Sequence, residues 1–287
     1  MAERNELNVR LMTPADIGFA IDRIREAGWA SQSPDVFAAF LDHDPRGCFV
    51  AETGDERVGI CVATRYRGNA FIGELVVRRD MRILGAGRML LARALAYLDR
   101  QGIRDIFLDG DLNAVPYYEA VGFKKIGKSL RFRGRIRGKT HSDVRPLRPA
   151  DLDGICARDL EFFGDDRSFF LRRFAALHPE LGFVRENDDG ICGYIMAKPG
   201  QELLAVGPWA DWQPGKNSAH LLEHLASASG AEVFRIGVME SNEKAAALVR
   251  SCAGLAETPY CWFMGRGESR RLGNHPALYA IGSGAKG

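Results

Sequence analysis

Along the first 140 positions, apolar residues follow two periods. Runs around residues 7–12, Phe49, Ile60, Leu75, 105–108, Lys125 and Phe132 are continuous or alternate with polar residues, which predicts strands covered on one or both faces. Between them, apolar residues recur at helical spacing over 15–27, 35–41, 85–100 and 114–121. Thr13 suits an N-cap, Pro14 the first helical position and Asp16 the first turn, while Gly102 ends the longest helix as a left-handed cap. The order is an α/β pattern in which most strands form hairpins and two helices cross between parallel strands.

The pattern repeats. Val9-Arg-Leu-Met-Thr-Pro-Ala-Asp16 returns as Val144-Arg-Pro-Leu-Arg-Pro-Ala-Asp151, an offset of 135. Val58-Gly-Ile-Cys-Val-Ala63 is echoed by Gly193-Tyr-Ile-Met-Ala197, and 111–123 by 242–255. Two diverged copies of one fold account for this, with domains expected at 1–140 and 141–287. A length of 287 residues accommodates both, since ~150 residues is an ordinary domain size.

Composition narrows the class. With 46% hydrophobic and 26% charged residues, the chain is neither disordered nor fibrous. No apolar run approaches the ~18 residues that span a bilayer, and the start, Met1-Ala-Glu-Arg-Asn-Glu6, is too acidic for a secretory signal. A cytoplasmic protein is expected. Cys48, Cys61, Cys156, Cys192, Cys252 and Cys261 form no Cys-x-x-Cys pair and read as reduced thiols. The net charge of +2 gives no case for wholesale nucleic-acid binding, although residues 1–140 carry +5 and the remainder −3.

Candidate chemistry centres on Glu74-Leu-Val-Val-Arg-Arg-Asp-Met-Arg82-Ile-Leu-Gly85-Ala-Gly87-Arg88. An apolar strand, a basic turn and two glycines lead into an amphipathic helix. Its first amides and the positive end of its dipole would cradle phosphates, with Arg82 and Arg88 adding charge. After that helix come Ile106-Phe-Leu-Asp109 and Ala114-Val-Pro-Tyr117-Tyr118-Glu-Ala-Val-Gly122-Phe123.

Here the chain resembles the GNAT superfamily of N-acetyltransferases. Val77 and Arg82 keep that family's spacing between the strand end and its Arg-x-x-Gly-x-Gly loop. Ala114, Tyr118, Gly122 and Phe123 match its downstream helix, whereas Asp111 replaces the usual Asn and Tyr117 the usual Leu. The overall pattern, including Leu108-Asp109 before the tyrosine helix, Phe163-Gly-Asp-Asp-Arg167 and the closing Leu278-Tyr-Ala-Ile-Gly282, resembles the tandem-domain (YitH-like) group within it. The resemblance implies two GNAT-like domains, each a mixed, mainly antiparallel sheet flanked by helices, and direct acetyl transfer from acetyl-CoA to an amine, small or a protein lysine. It implies that Leu75, Val76 and Val77 offer backbone to the pantetheine arm and that Arg82, Ile83, Leu84, Gly85, Ala86, Gly87 and Arg88 hold the pyrophosphate. A backbone N–H near Val77 would stabilise the oxyanion, and Tyr118 would protonate the departing thiolate. For the general base, Glu74 comes first and Asp111 second. Glu74 is out of phase with Leu75 and Val77 and so faces the other side of the sheet.

The second copy reads as degenerate: Val206-Gly-Pro-Trp-Ala-Asp-Trp-Gln-Pro-Gly215-Lys-Asn-Ser218 lacks the loop spacing, and Val249 stands near the tyrosine position. One acetyl-CoA site is expected, shaped on the acceptor side by the second half, with no metal. Alternatives from other classes are a non-catalytic acetyl-CoA sensor and an RNA-associating module built on Arg131, Arg133, Arg135 and Arg137, whose row of guanidinium groups otherwise reads as an edge strand guarded by charge. Two short strings are decoys by context. Gly122-Phe-Lys-Lys-Ile-Gly-Lys-Ser129 fits the P-loop pattern but follows a helix and precedes a strand. His220-Leu-Leu-Glu-His224 fits a zinc-peptidase pattern on an amphipathic helix with no distal third ligand marked. Trp209, Trp212 and Trp262 read as core residues first and acceptor-pocket residues second.

Overall fold

A computed structural model describes residues 6–29, 31–213, 215, 217–268 and 275–287. The opening motif folds as its residues dictate. Strand β1 (Leu7–Leu11) turns through Pro14–Asp16 into α1 (Ile17–Glu26), and the Asp16 carboxylate accepts from Thr13 N–H at 2.9 Å and from the Arg10 guanidinium at 2.8 and 3.0 Å. Then follow α2 (Pro34–His43), β2 (Cys48–Thr53), β3 (Glu56–Arg65), β4 (Asn69–Val77), α3 (Ala86–Arg100), β5 (Asp105–Gly110), α4 (Val115–Glu119) and β6 (Lys124–Gly134).

The second copy repeats this series: β7 (Val144–Pro146), α5 (Leu152–Phe163), α6 (Ser168–Leu177), β8 (Gly182–Asn187), β9 (Gly190–Pro199), β10 (Leu204–Asp211), α7 (Ala219–Ser229), β11 (Phe234–Met239), α8 (Glu243–Ser251) and β12 (Leu255–Arg266). A short β13 (Leu278–Ala280) ends it. Even the turn chemistry is duplicated, because Arg145 grips Asp151 at 2.7 and 3.0 Å and Glu186 at 2.5 Å, as Arg10 grips Asp16 and, at 2.7 Å, Glu52.

All strands join one mixed, mainly antiparallel sheet in the order β1-β2-β3-β4-β5-β12-β6-β11-β10-β9-β8-β7, with β13 beside β10. The two copies exchange their last long strands. The second copy's β12 lies between β5 and β6, and the first copy's β6 lies between β12 and β11. Two sequence expectations are corrected here. Residues 124–134 form one continuous strand, not two, and that strand is central rather than an edge. The two expected crossovers are present: α3 joins the parallel neighbours β4 and β5, and α4 joins β5 to β6, which run the same way on either side of β12.

A core cluster under α1 and α2 runs into the second half, where Phe40 meets Phe170 edge-on at 5.9 Å and Phe163, Phe170 and Phe174 are buried. On the other face, α3 packs Leu90, Leu91, Ala94 and Leu98 against β2–β5. No described helix is long and apolar enough to cross a membrane.

Candidate active site

β4 is distorted where the chemistry is expected. It pairs with β5 only at Asn69–Asp105, Ala70–Ile106 and Phe71–Phe107, after which the ladder ends and a cleft opens between the strands. Against β3, Gly73 faces Val62 and Val76 faces Ile60, so Glu74 and Leu75 together oppose Cys61. This is a β-bulge, a device that re-aims side chains. Glu74 takes up the distortion at φ +52°, a sparsely populated region for a residue with a side chain.

The bulge leaves Leu75 and Val77 packed with the α3 cluster and turns Glu74 to the α1–α2 side. There one Glu74 oxygen accepts from Gln32 Nε2, and the other is buried without a partner among the described residues. Burial raises the Glu74 carboxyl to about 7 against the pull of Lys286, Lys198 and Arg235.

The cleft encloses about 840 Å³, its open mouth included, and reaches both faces of the sheet. Glu74, Gln32 and Trp29 line one side, Leu75 and Tyr118 the other, and Asp111 the exposed rim, where it accepts from Cys261 Sγ at 3.4 Å. Tyr118 is buried, and burial raises its hydroxyl further above the ordinary tyrosine value, so it stays a proton donor at neutral pH. Tyr117 lies outside the cleft beside Gly87.

The second half supplies Lys198, Arg235, Cys261 and the segment from Ile281 to Ala285. A side chain at Gly73 would put Cβ 2.3 Å from that of Ala285, so glycine there is what lets the segment seat. Gln32, Trp29, Lys198 and Arg235 went unnoticed in the sequence because nothing local marks them; they arrive from distant strands and loops.

The basic loop folds as a 3-10 turn at Arg79–Leu84, then Gly85 at φ +82°, then α3. Met89 N–H is bonded to Gly85 C=O at 3.2 Å, so the amides of Ala86, Gly87 and Arg88 precede the first helical donor and point out of the helix. Arg82, Ile83, Leu84 and Arg88 are exposed around them, and Arg82 Nε donates to Val77 C=O at 3.3 Å. Free amides, two guanidinium groups and the positive end of a 15-residue helix fit a diphosphate.

The same positions of the second copy have lost the carboxylate, the strand opening and the tyrosine. In its bulge, Gly207 and Pro208 oppose Met196 where Glu74 and Leu75 stand in the first copy. No carboxylate is there, and Pro208 has no N–H to offer. The opening beyond Val206–Ile236 is taken by β13, which pairs with β10. Asn242 Nδ2 donates at 2.9 Å to the carbonyls of Pro276, just before this strand, and Leu278, its first residue. Val249, buried, replaces the tyrosine. Pro214 and Lys216 of the corresponding loop lie outside the described residues, as do the first five residues of the chain.

The remaining motifs resolve structurally. Arg131 is buried and paired with Asp109, which removes it from the guanidinium row. Gly127 falls inside β6, so no helix follows the P-loop string. The α7 histidines do have distant neighbours: His141, Asp143 and His220 each bring a ligand atom within 4.8 Å of the others. Yet the His141 and His220 rings stack at 3.7 Å and 14°, so their nitrogens run parallel instead of converging on one ion in both ring planes. Asp143 and Glu223 occupy those nitrogens at 2.8 and 2.6 Å. Trp209 is fully buried against Tyr279, and neither Trp212 nor Trp262 lines the cleft.

Comparison with known proteins agrees with this anatomy. Residues 18–123 match the Acetyltransferase (GNAT) family and residues 155–280 an Acetyltransferase (GNAT) domain. The chain belongs to the GNAT family and carries two GNAT domains in tandem. Among relatives, "Uncharacterized N-acetyltransferase YitH" of Bacillus subtilis (strain 168) is 26% identical over 141 residues, 48% of this chain and 49% of that protein. The match thus spans about half of that relative's length. A putative acetyltransferase from Pyrococcus horikoshii superposes with a TM-score of 0.82 at 22% identity, covering 98% of this chain and 96% of that one. A tandem GNAT protein from the clavulanic acid biosynthesis pathway gives 0.64 at 13% identity, covering 92% and 100%.

Proposed function

We propose that this protein transfers an acetyl group from acetyl-CoA to an amine in the cleft where β4 and β5 part. The observation that carries this reading is that Glu74 and Tyr118, from opposite faces of the sheet, line one cleft beside β4, whose end leads into the free amides of α3. Residues 82–88 hold the diphosphate, and the backbone from Leu75 to Val77, unpaired on its β5 side, lies along the pantetheine arm. Acetyl-CoA, when bound, supplies the thioester whose acetyl carbon an amine attacks. Glu74, titrating near 7, takes the proton from the ammonium so that its lone pair is free. Backbone N–H at the bulge, near Val77, donates to the oxygen on which charge builds. As the C–S bond breaks, Tyr118 gives its proton to the departing sulfur, and the second proton of the acetylated nitrogen returns to the Tyr118 oxygen. Asp111, exposed and at the rim, is placed to receive the incoming ammonium rather than to work at the acetyl carbon.

The second copy is a structural and acceptor-side domain with no cofactor site, because β13 fills its strand opening. Calorimetric titration with acetyl-CoA tests both statements. One site per chain, abolished by Arg82→Glu with Gly87→Trp, is expected. Two sites would overturn the degenerate reading, and no binding by folded protein would overturn the acetyltransferase reading.

A further inference from the structure

Arg235 has no evident employment in acetyl transfer. It sits on β11, half-buried, and lines the cleft shared with Glu74. Its one side-chain hydrogen bond among the described residues is to Ser31 Oγ, long at 3.5 Å, and no carboxylate lies within ion-pairing distance. Neighbouring arginines differ: Arg131 is matched to Asp109, and Arg135 to Glu232 at 3.1 Å. Burial, then the nearby Arg131, lowers its pKa from the ordinary arginine value, so the surroundings as they stand disfavour its charge. Lys198 is likewise buried, donating to Gly282 C=O at 2.9 Å with no carboxylate in contact, and burial lowers its pKa to about 8.

A desolvated cation is costly until an anion joins it. The acids of the cleft are otherwise engaged. Asp109 is matched to Arg131, Asp111 stands at the rim, and Glu74 is a single carboxylate facing three cations, Lys286, Lys198 and Arg235. That leaves one guanidinium fork in surplus, a group shaped for two-point contact with a carboxylate or phosphate.

We propose that the acceptor is a small amine that also bears an anionic group, carboxylate or phosphate, bound by Arg235 with Lys198 beside it while the amine faces Glu74. This rests on the acetyl-transfer reading and names its substrate class. It also gives the second copy a role: the first copy handles acetyl and proton, and β9 and β11 of the second choose the acceptor.

The test uses the full chain and matched amines: glycine with glycinamide, β-alanine with its amide, glutamate with glutamine, and phosphoethanolamine with ethanolamine. With release of CoA thiol as readout, the anionic member of at least one pair should have a kcat/KM about 10- to 100-fold higher than its neutral match. The carboxylate and phosphate arms tell which anion is meant. Arg235→Gln and Arg235→Ala should each collapse that preference toward one through KM, with acetyl-CoA affinity unchanged; a merely structural role would leave the ratio intact. Equal or better use of neutral members, or a preference that survives both variants, overturns the proposal. Should no pair turn over, the same amines are titrated against protein with and without CoA. Anion-dependent binding lost in both Arg235 variants sustains the proposal, and no such binding overturns it. Acetyl-CoA titration run in parallel separates this failure from failure of the acetyltransferase reading.

Discussion

Glu74 shows how one residue links strain, titration and chemistry. Held at φ +52° in a bulge and largely buried, it titrates near 7, where a general base serves best at neutral pH. Its kcat/KM should therefore rise with pH through about 7, and Glu74→Gln should lose about 10²- to 10⁴-fold while acetyl-CoA affinity holds. Retained turnover in that variant would shift the base to Asp111 or to water. Stability carries the same proton. Because the folded value lies above the ordinary 4.5, the folded state binds the proton more tightly, so this stabilisation is complete below 4.5 and is lost as pH rises to about 7. The Tm of Glu74→Gln relative to the unaltered protein should thus climb between pH 4.5 and 8. Tyr118→Phe is the complementary case: kcat falls by about 10²-fold or more, with acetyl-CoA affinity kept. Both residues were legible in the sequence, because each sits in a local string. Gln32, Lys198 and Arg235, which set the charge balance around them, were not, since contact across 42 or more residues leaves no periodic trace.

Among elements, the loop before α3 and strand β6 mark the opposite ends of legibility. Apolar period and glycine placement gave α3 to within a residue of its observed start, Ala86. Gly85 is required there by its φ of +82°, so Gly85→Ala should cost about 1–2 kcal/mol at that backbone position and weaken acetyl-CoA binding by tilting the first amides of α3. Chemical denaturation and acetyl-CoA titration of the variant check the two effects, and full affinity would show that the loop amides do not hold the diphosphate. For β6, alternating arginines read as a charged edge, yet the strand is central. The same alternation serves a central strand when a partner takes the buried charge, as Asp109 takes Arg131, while Arg135 already lies past the end of the strand at Gly134. A sequence pattern reports which side chains share a face, not what lies opposite them.

The exchange of β6 and β12 governs the molecule as a whole. In the first copy the edge of β5 from Ile106 to Gly110 is covered by Arg266 to Trp262, and β6 is covered on its two edges by β12 and β11, all from the second copy. Cutting the chain between residues 140 and 141 would strip all three edges at once and expose Phe107, Phe132 and Leu130, now buried. Unpaired strand edges next to exposed aromatic surface drive aggregation rather than autonomous folding. The core joining Phe40 to Phe170 and the seat of Ala285 against Gly73 add to the coupling. The full chain should therefore unfold in one calorimetric transition whose van't Hoff and calorimetric enthalpies agree, although it carries two copies of a fold. Fragments 1–140 and 141–287 made separately should lack a cooperative transition, and made together they should reassemble and recover acetyl-CoA binding. Two resolved transitions, or fragment 1–140 folding and binding acetyl-CoA by itself, would mean that the exchanged strands are ornament.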